Sequence, residues 1–226
     1  MSATSLDPLY KLPKSAALYI AEHGWTQGTE VEADGRVCLT GALRLCSPVP
    51  GDGYIAREVF RRRGHAEGWN DKGGRTAGEV IRYLAETEIS DDNLAQTFGP
   101  QWREIVDQVR AISGATPAQI ERLGAAWGAA RDDAAWGSAR DAAWDAARDA
   151  AWHAARDAAR AAALGAAWGT DAALGAARDA AGALSVRDLI SKNGFTQEHY
   201  DILTGPWRKA IGPLHADDAP LSGVTA

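Results

Sequence analysis

Cys38, His65 and Asn70 follow one another in the order nucleophile, base and orienting amide, the order thiol hydrolases use for nucleophilic catalysis. Cys38 stands just before a helix expected from Thr40, and a helix N-terminus lowers a thiol pKa. The spacing is far shorter than such hydrolases use. A cysteine between Val37 and Leu39 is read first as a small buried hydrophobe, and Cys46, beside Leu45 and near Leu43, reads the same way. No catalytic residue is therefore assigned, and Cys38 stays the one candidate.

A second constellation is the run Trp69-Asn70-Asp71-Lys72-Gly73-Gly74-Arg75-Thr76. It offers an aromatic face, a carboxylate and two cations at the start of a helix, where backbone N–H groups receive anions. Trp69, Asn70, Asp71 and Arg75 are its candidate ligand-binding residues. The run lacks both the lysine after the glycines of a phosphate loop and the acidic spacing of a calcium loop. Its simpler reading is that Asn70 and Asp71 bond backbone groups while Trp69 plugs the core.

Other classes fall away on composition. The two cysteines make no cluster with zinc-ligand spacing, so no metal and no cofactor is expected. A formal net charge of -6 argues against nucleic acid as a partner, and Arg61, Arg62 and Arg63 read as a solvated helix face. No uncharged apolar stretch is long enough to span a bilayer. Met1 to Leu12 lacks the basic start and apolar core of a secretory signal, so the expected address is the cytoplasm, without membrane contact.

These residues need positioning elements, and the pattern supplies mostly helices. Ser15 to His23 reads as a helix closed by Gly24. Thr29–Glu32 and Arg36–Cys38 flank Asp34-Gly35, a hairpin signal. Helices follow over Thr40–Cys46 and Tyr54–Arg63. Thr76-Ala77-Gly78-Glu79 has the capping-box pattern, and Gln101 to Ile112 carries apolar residues at helical spacing. Thr116-Pro117-Ala118-Gln119 starts another helix.

From Leu123 to Leu184 the chain is mostly alanine. Trp136, Trp144 and Trp152 are eight residues apart, with Arg140 and Arg148 midway and Arg156 four residues beyond Trp152, all within reach of the rings. Alanine favours helix. An eight-residue step turns each ring about 80° around a helix, so one neighbour cannot cover all three. The expectation is that the segment breaks at its glycines into two or three helices that fold back or pair between chains, burying Trp136, Trp144 and Trp152 as the interaction residues. Ser185–Ser191 and Thr196–Leu203 read as short helices, Gly205-Pro206 as the opening of a last turn, and His215–Ala226 as a frayed end.

The fold class expected is mainly α: a small α domain with one β hairpin over residues 1–90, an Ala/Trp-rich helical hairpin or bundle over 91–184, and short helices with a tail over 185–226. The strings Gly35-Arg36-Val37-Cys38-Leu39-Thr40-Gly41-Ala42-Leu43 and Trp69 to Val80 resemble a family of uncharacterised domains in actinobacteria and their phages. That resemblance covers roughly residues 12 to 88 and brings no activity with it. It implies an intracellular phage or bacterial accessory protein, and it singles out Cys38, Asn70, Asp71 and Arg75. The leading functional expectation is a non-enzymatic interaction protein, phage-encoded on this resemblance, that uses its helical repeat to bind itself or a host protein. Two alternatives stay open. One is a binder or sequesterer of a small anionic, nucleotide-like ligand in a Trp-lined or Trp69-loop pocket, and the other is a hydrolase using Cys38.

Overall fold

Two prolines frame the first helix. Pro8 sits in the first turn of α1 (Asp7–His23) and Pro13 inside it. An interior proline removes one ladder bond, which is why the sequence pattern placed the start only at Ser15. Burial of Leu9 and Leu12 on the same face holds the extra turns. The computed structural model describes residues 5–65, 67–147, 150–165 and 170–218. Its chain is mainly helical and divides into two units, Met1–Leu94 and Ala95–Ala226.

In the first unit α1 packs on α2 (Leu39–Leu45), α3 (Asp52–Arg62) and α5 (Ala77–Glu86). The core is built from Leu9, Leu12, Ile20, Leu43, Ile55, Phe60, Val80 and Leu84, all essentially solvent-free. A single turn, α4 (Glu67–Asn70), precedes α5, whose capping box closes as its sequence demands: Thr76 Oγ1 accepts from Glu79 N–H, and the Glu79 carboxylate accepts from Thr76 N–H. The expected hairpin is reduced to an isolated antiparallel bridge, Val31 with Val37. The reason is competition for backbone groups. Val37 N–H donates to Gly24 carbonyl, Thr26 N–H donates to Val37 carbonyl, and Cys38 N–H donates to Glu30 carbonyl. Residues 24–38 therefore wrap as a loop around the buried Val37.

The second unit holds the alanine repeat. After α6 (Asp91–Phe98), which crosses the boundary, come α7 (Trp102–Ser113), α8 (Pro117–Arg131), α9 (Ala134–Ala147), α10 (Ala150–Gly165), α11 (Asp171–Ser185) and α12 (Gln197–Ala210). The break between α8 and α9 falls at Asp132-Asp133, where the Asp133 carboxylate accepts from Ala135 N–H at 2.9 Å. It does not fall at a glycine. Gly124, Gly128, Gly137, Gly175 and Gly182 lie inside helices, and two of them seat tryptophans. A β-carbon at Gly175 would stand 2.5 Å from the Trp127 ring, and one at Gly182 would stand 3.0 Å from Trp152 Nε1. Of the glycines expected to break the repeat, Gly165 ends α10, while Gly175 and Gly182 instead let Trp127 and Trp152 approach the backbone of α11. Arg148, Trp168 and Gly169 lie outside the described residues.

The tryptophan expectation holds for two rings and fails for the third. Trp136 and Trp152 are 4% and 6% exposed, but Trp144 is 48% exposed. On α9 the buried positions are Trp136, Ala139, Ala143, Ala146 and Ala147, one helical stripe. Trp144 is eight residues from Trp136 and so turned about 80° off that stripe.

Segment 185–226, whose Tyr200 and Trp207 are expected to lock it onto the helical body, contributes α12, which packs on α8, α9 and α11. Arg187–Leu189 is a single 3-10 turn where a short helix was expected. α12 runs straight through Gly205-Pro206 instead of restarting there. Tyr200, Leu203 and Trp207 bury its inner face, and that burial outweighs one missing donor. The tail is fastened further than the pattern suggested. Asp218 accepts from Leu214 N–H at 2.9 Å, His215 N–H at 3.0 Å and Tyr200 Oη–H at 3.1 Å. The frayed end was expected from His215, and residues 219–226 lie outside the described residues.

Candidate functional site

Asn70 is buried, and its amide is saturated by the protein. Its Oδ1 accepts from Trp25 Nε1–H at 2.8 Å and Leu39 N–H at 3.1 Å, while Nδ2 donates to Thr26 carbonyl at 3.3 Å and Asp71 Oδ1 at 2.7 Å. An asparagine amide has two hydrogens and two lone pairs, so nothing is left for a ligand. Asp71 Oδ1 also takes Gly28 N–H at 3.0 Å. Gln27, which no pattern singled out, donates to the carbonyls of Asn70 and Lys72. The run from Trp69 thus clasps residues 25–28 to the start of α2; Asn70 and Asp71 bond backbone groups as the simpler reading proposed, but Trp69 is half-buried and does not plug the core.

The other members of the run are engaged as well. Arg75 lies over the Trp69 ring at 4.0 Å, donates to Trp69 carbonyl at 3.3 Å and pairs with Glu79 at 3.5 Å. Trp69 also packs against His65 and Tyr83. The glycines of the two strings serve the same closure. Gly35 and Gly74 take positive φ, 90° and 83°, and a β-carbon at Gly41 would overlap the Glu30 carbonyl.

Cys38 is the N-cap of α2, its sulfur accepting from Gly41 N–H at 3.4 Å. The lowered thiol pKa expected at this helix start is reversed: burial pushes it up, more strongly than the Gly41 and Thr40 N–H groups pull it down. His65 is stacked on Tyr83 with centroids 4.0 Å apart, and its Nδ1 lies 2.7 Å from Arg63 carbonyl. The order Cys, His, Asn does not become a triad, because Cys38 caps, His65 stacks and Asn70 clasps.

The second unit contains a different arrangement. α9, α10 and α11 enclose an open cleft of about 440 Å³. Arg140, Asp141 and Trp144 line it from α9; Trp152, His153, Arg156 and Asp157 from α10; and Arg178 from α11. Trp144 stands edge-to-face with Trp152 at 4.7 Å and with His153 at 5.4 Å. Arg156 covers the Trp152 ring at 4.0 Å, as the four-residue spacing suggested.

Arg156 is 8% exposed. One of its terminal nitrogens faces Asp179 at 3.4 Å, and its Nε has no hydrogen-bond partner. Asp179, buried beneath, also accepts from Trp127 Nε1–H at 3.1 Å. Burial brings the Arg156 pKa down to about 10; Asp179 opposes that, and Arg178 and Arg140 add to it. The group is still charged at neutral pH. Burial likewise raises the Asp179 pKa against the pull of Trp127, Arg156, Arg178 and Arg140. Among the described residues neither Arg140 nor Arg178 forms an ion pair, and Arg178 Nε is buried without a hydrogen-bond partner. Three guanidinium groups thus converge on one cleft, and one of them is matched by Asp179.

Sequence reading set Arg140 within reach of Trp144 and Arg156 within reach of Trp152 but did not bring the two pairs together, and it did not single out Arg178 or His153. The signal available was the Gly175-x-x-Arg178-Asp179-x-x-Gly182 run, an alanine helix carrying charge between two glycines. Among the described residues no group of three or more His, Cys, Asp or Glu side chains could hold a metal ion, and no helix is long and apolar enough to cross a membrane. No curated protein and no solved structure matches the chain significantly. Residues 7–88 match the model of a family described as a family of unknown function, DUF6197, a span that contains both strings and the clasp and leaves the Arg/Trp cleft outside it.

Proposed function

We propose that the protein is a non-enzymatic binder of a small anionic molecule, held in the cleft between α9, α10 and α11. The observation that carries this reading is the convergence of Arg140, Arg156 and Arg178 on one concave site walled by Trp144 and Trp152. Arg156 is buried against Asp179, Arg178 is half-buried with its Nε unpartnered, and Arg140 is exposed at the rim; charge-assisted bonds from arginine to an oxyanion are among the stronger polar contacts a site can make. A cleft of this size is in the range that takes small organic ligands. The cytoplasm is the address we assign with this activity, because Cys38 and Cys46 are both free thiols and a reducing compartment keeps them so.

The test is a thermal-shift series at constant ionic strength and pH 7.5, using inorganic pyrophosphate, ADP and citrate against a chloride control. A ligand at 100 times its Kd adds about 2.7 kcal/mol to the stability of the folded state. At least one of the three anions should raise the melting temperature, and Arg140→Gln with Arg178→Gln should abolish the rise. No rise with any of the anions would overturn the reading.

A second reading, the interaction protein expected from the sequence, is favoured by one observation. Trp144 and Leu164 are 48% and 53% exposed, and large exposed apolar groups are what a partner surface uses. In this reading the helical repeat associates with a second copy or with a host protein, as a phage accessory protein would. Light scattering coupled to size exclusion tests the self-associating form, which requires a mass that rises with concentration and falls to that of the monomer in Trp144→Ser.

A further inference from the structure

The cleft carries features beyond positive charge, and they narrow what it takes. Among the described residues Trp144 makes only edge-type ring contacts, 76° to Trp152 and 85° to His153, and none of their rings is stacked parallel on its indole. Its half-exposed surface borders the same cavity as the three guanidinium groups. Trp152 differs, since Arg156 already lies over its ring. One cleft therefore offers a half-exposed aromatic ring, a cationic end, and the carboxylates of Asp141 and Asp157 able to accept hydrogen bonds from hydroxyl or amino groups.

Resting on the anion-binding reading above, we infer that the ligand is a free nucleotide, its base stacked on Trp144 and its phosphates held by Arg140, Arg156 and Arg178. Each part of the site answers one part of that ligand. Bases stack on aromatic side chains whatever their sequence, and a guanidinium matches a phosphate in a two-pronged geometry. The acceptors Asp141 and Asp157 suit ribose hydroxyls. A long polynucleotide is disfavoured by those same two carboxylates and by the net charge of -6 on the chain, because backbone binding needs a continuous positive track.

The experiment is calorimetric titration of the full chain, at fixed ionic strength and without divalent metal, with pyrophosphate, with citrate, with adenosine, and with ADP, GDP, CDP and UDP. At least one nucleoside diphosphate should bind about tenfold or more tighter than either pyrophosphate or adenosine, within the range that base stacking contributes. Trp144→Ala should bring that nucleotide back to within about threefold of pyrophosphate, weakening pyrophosphate far less than the nucleotide. Trp144→Phe, which keeps a stacking face, should recover most of the loss. Arg178→Gln should weaken nucleotide and pyrophosphate together. If pyrophosphate binds as tightly as every nucleotide and Trp144→Ala changes nothing, the nucleotide assignment is overturned while the anion site stands. If nucleotide and pyrophosphate both fail to bind but citrate does, the assignment again falls alone. If none of these ligands binds, both readings fall.

Discussion

The two units use their polar side chains in opposite ways. Around the Trp69 run nearly every side-chain donor and acceptor is turned inward on the protein's own backbone, so that Asn70 alone joins Trp25, Thr26, Leu39 and Asp71. Around the Trp144 cleft, guanidinium groups gather with fewer partners than they can use. The region with the recognisable motif is thus the better satisfied one, and the low-complexity repeat holds the unsatisfied charge. A motif can mark the closure of a fold, and a repeat of alanine, tryptophan and arginine can shape a site. Buried polar groups without partners are costly.

The contrast is broken most severely by removing what buries each unit. Trp136→Ala and Trp152→Ala should each cost roughly 3 to 5 kcal/mol, read as a fall in urea midpoint. Trp144→Ala, at 48% exposed, should cost under about 1 kcal/mol. Equal losses at all three positions would mean that Trp144 is covered in solution. In the first unit Asn70→Ala strands the Trp25 indole N–H, the Leu39 N–H and the Thr26 carbonyl. At about 1 to 3 kcal/mol for each buried group left unsatisfied, it should approach the tryptophan deletions in cost. A mild effect of Asn70→Ala would return that residue to the list of ligand contacts.

Glycine substitution comes next in size. Gly175→Ala places a methyl group against the Trp127 ring, and overpacking of this kind costs about 1 to 3 kcal/mol. Alanine elsewhere in an exposed helix stabilises it. Gly128→Ala, with nothing within 4 Å, should therefore raise the melting temperature where Gly175→Ala lowers it.

The smallest effects concern titration. Cys38, its thiol pKa raised by burial, should react slowly with a maleimide at pH 6, and rapid selective labelling would revive the thiol-hydrolase reading. The Glu79 carboxyl is held below its ordinary 4.5 by the Thr76 N–H and hydroxyl. A depressed folded pKa contributes stability above the unfolded value and loses it as pH falls through the folded one. The stability gap between the wild type and Glu79→Ala should therefore be open above pH 4.5 and close progressively below it.

Capping residues made much of the fold legible. Thr76 with Glu79 and Thr116 with Gln119 each form the reciprocal cap their spacing implies, because such pairs satisfy orphan backbone groups locally and need no distant partner. Val37 was less legible. Its backbone groups pair with Gly24 and Thr26, contacts that depend on where Asn70 holds the chain. Gly175 and Gly182 misled for a related reason. Their helix-breaking cost is small beside the burial of Trp127 and Trp152 against them, and only tertiary packing reveals which rings they seat. Half of the cleft could be read from the four-residue spacing of Arg140, Trp144, Trp152 and Arg156. Arg178 could not, since it arrives from another helix.

The central claim is that ligand recognition belongs to the Arg/Trp cleft and not to the motif loop, and the indole N–H signals of a ¹⁵N-labelled sample titrated with ADP test it directly. The account predicts that the Trp144 and Trp152 signals shift with increasing ADP and saturate, while those of Trp25 and Trp69 stay in place. Shifts at Trp25 and Trp69 with Trp144 and Trp152 unmoved would contradict it.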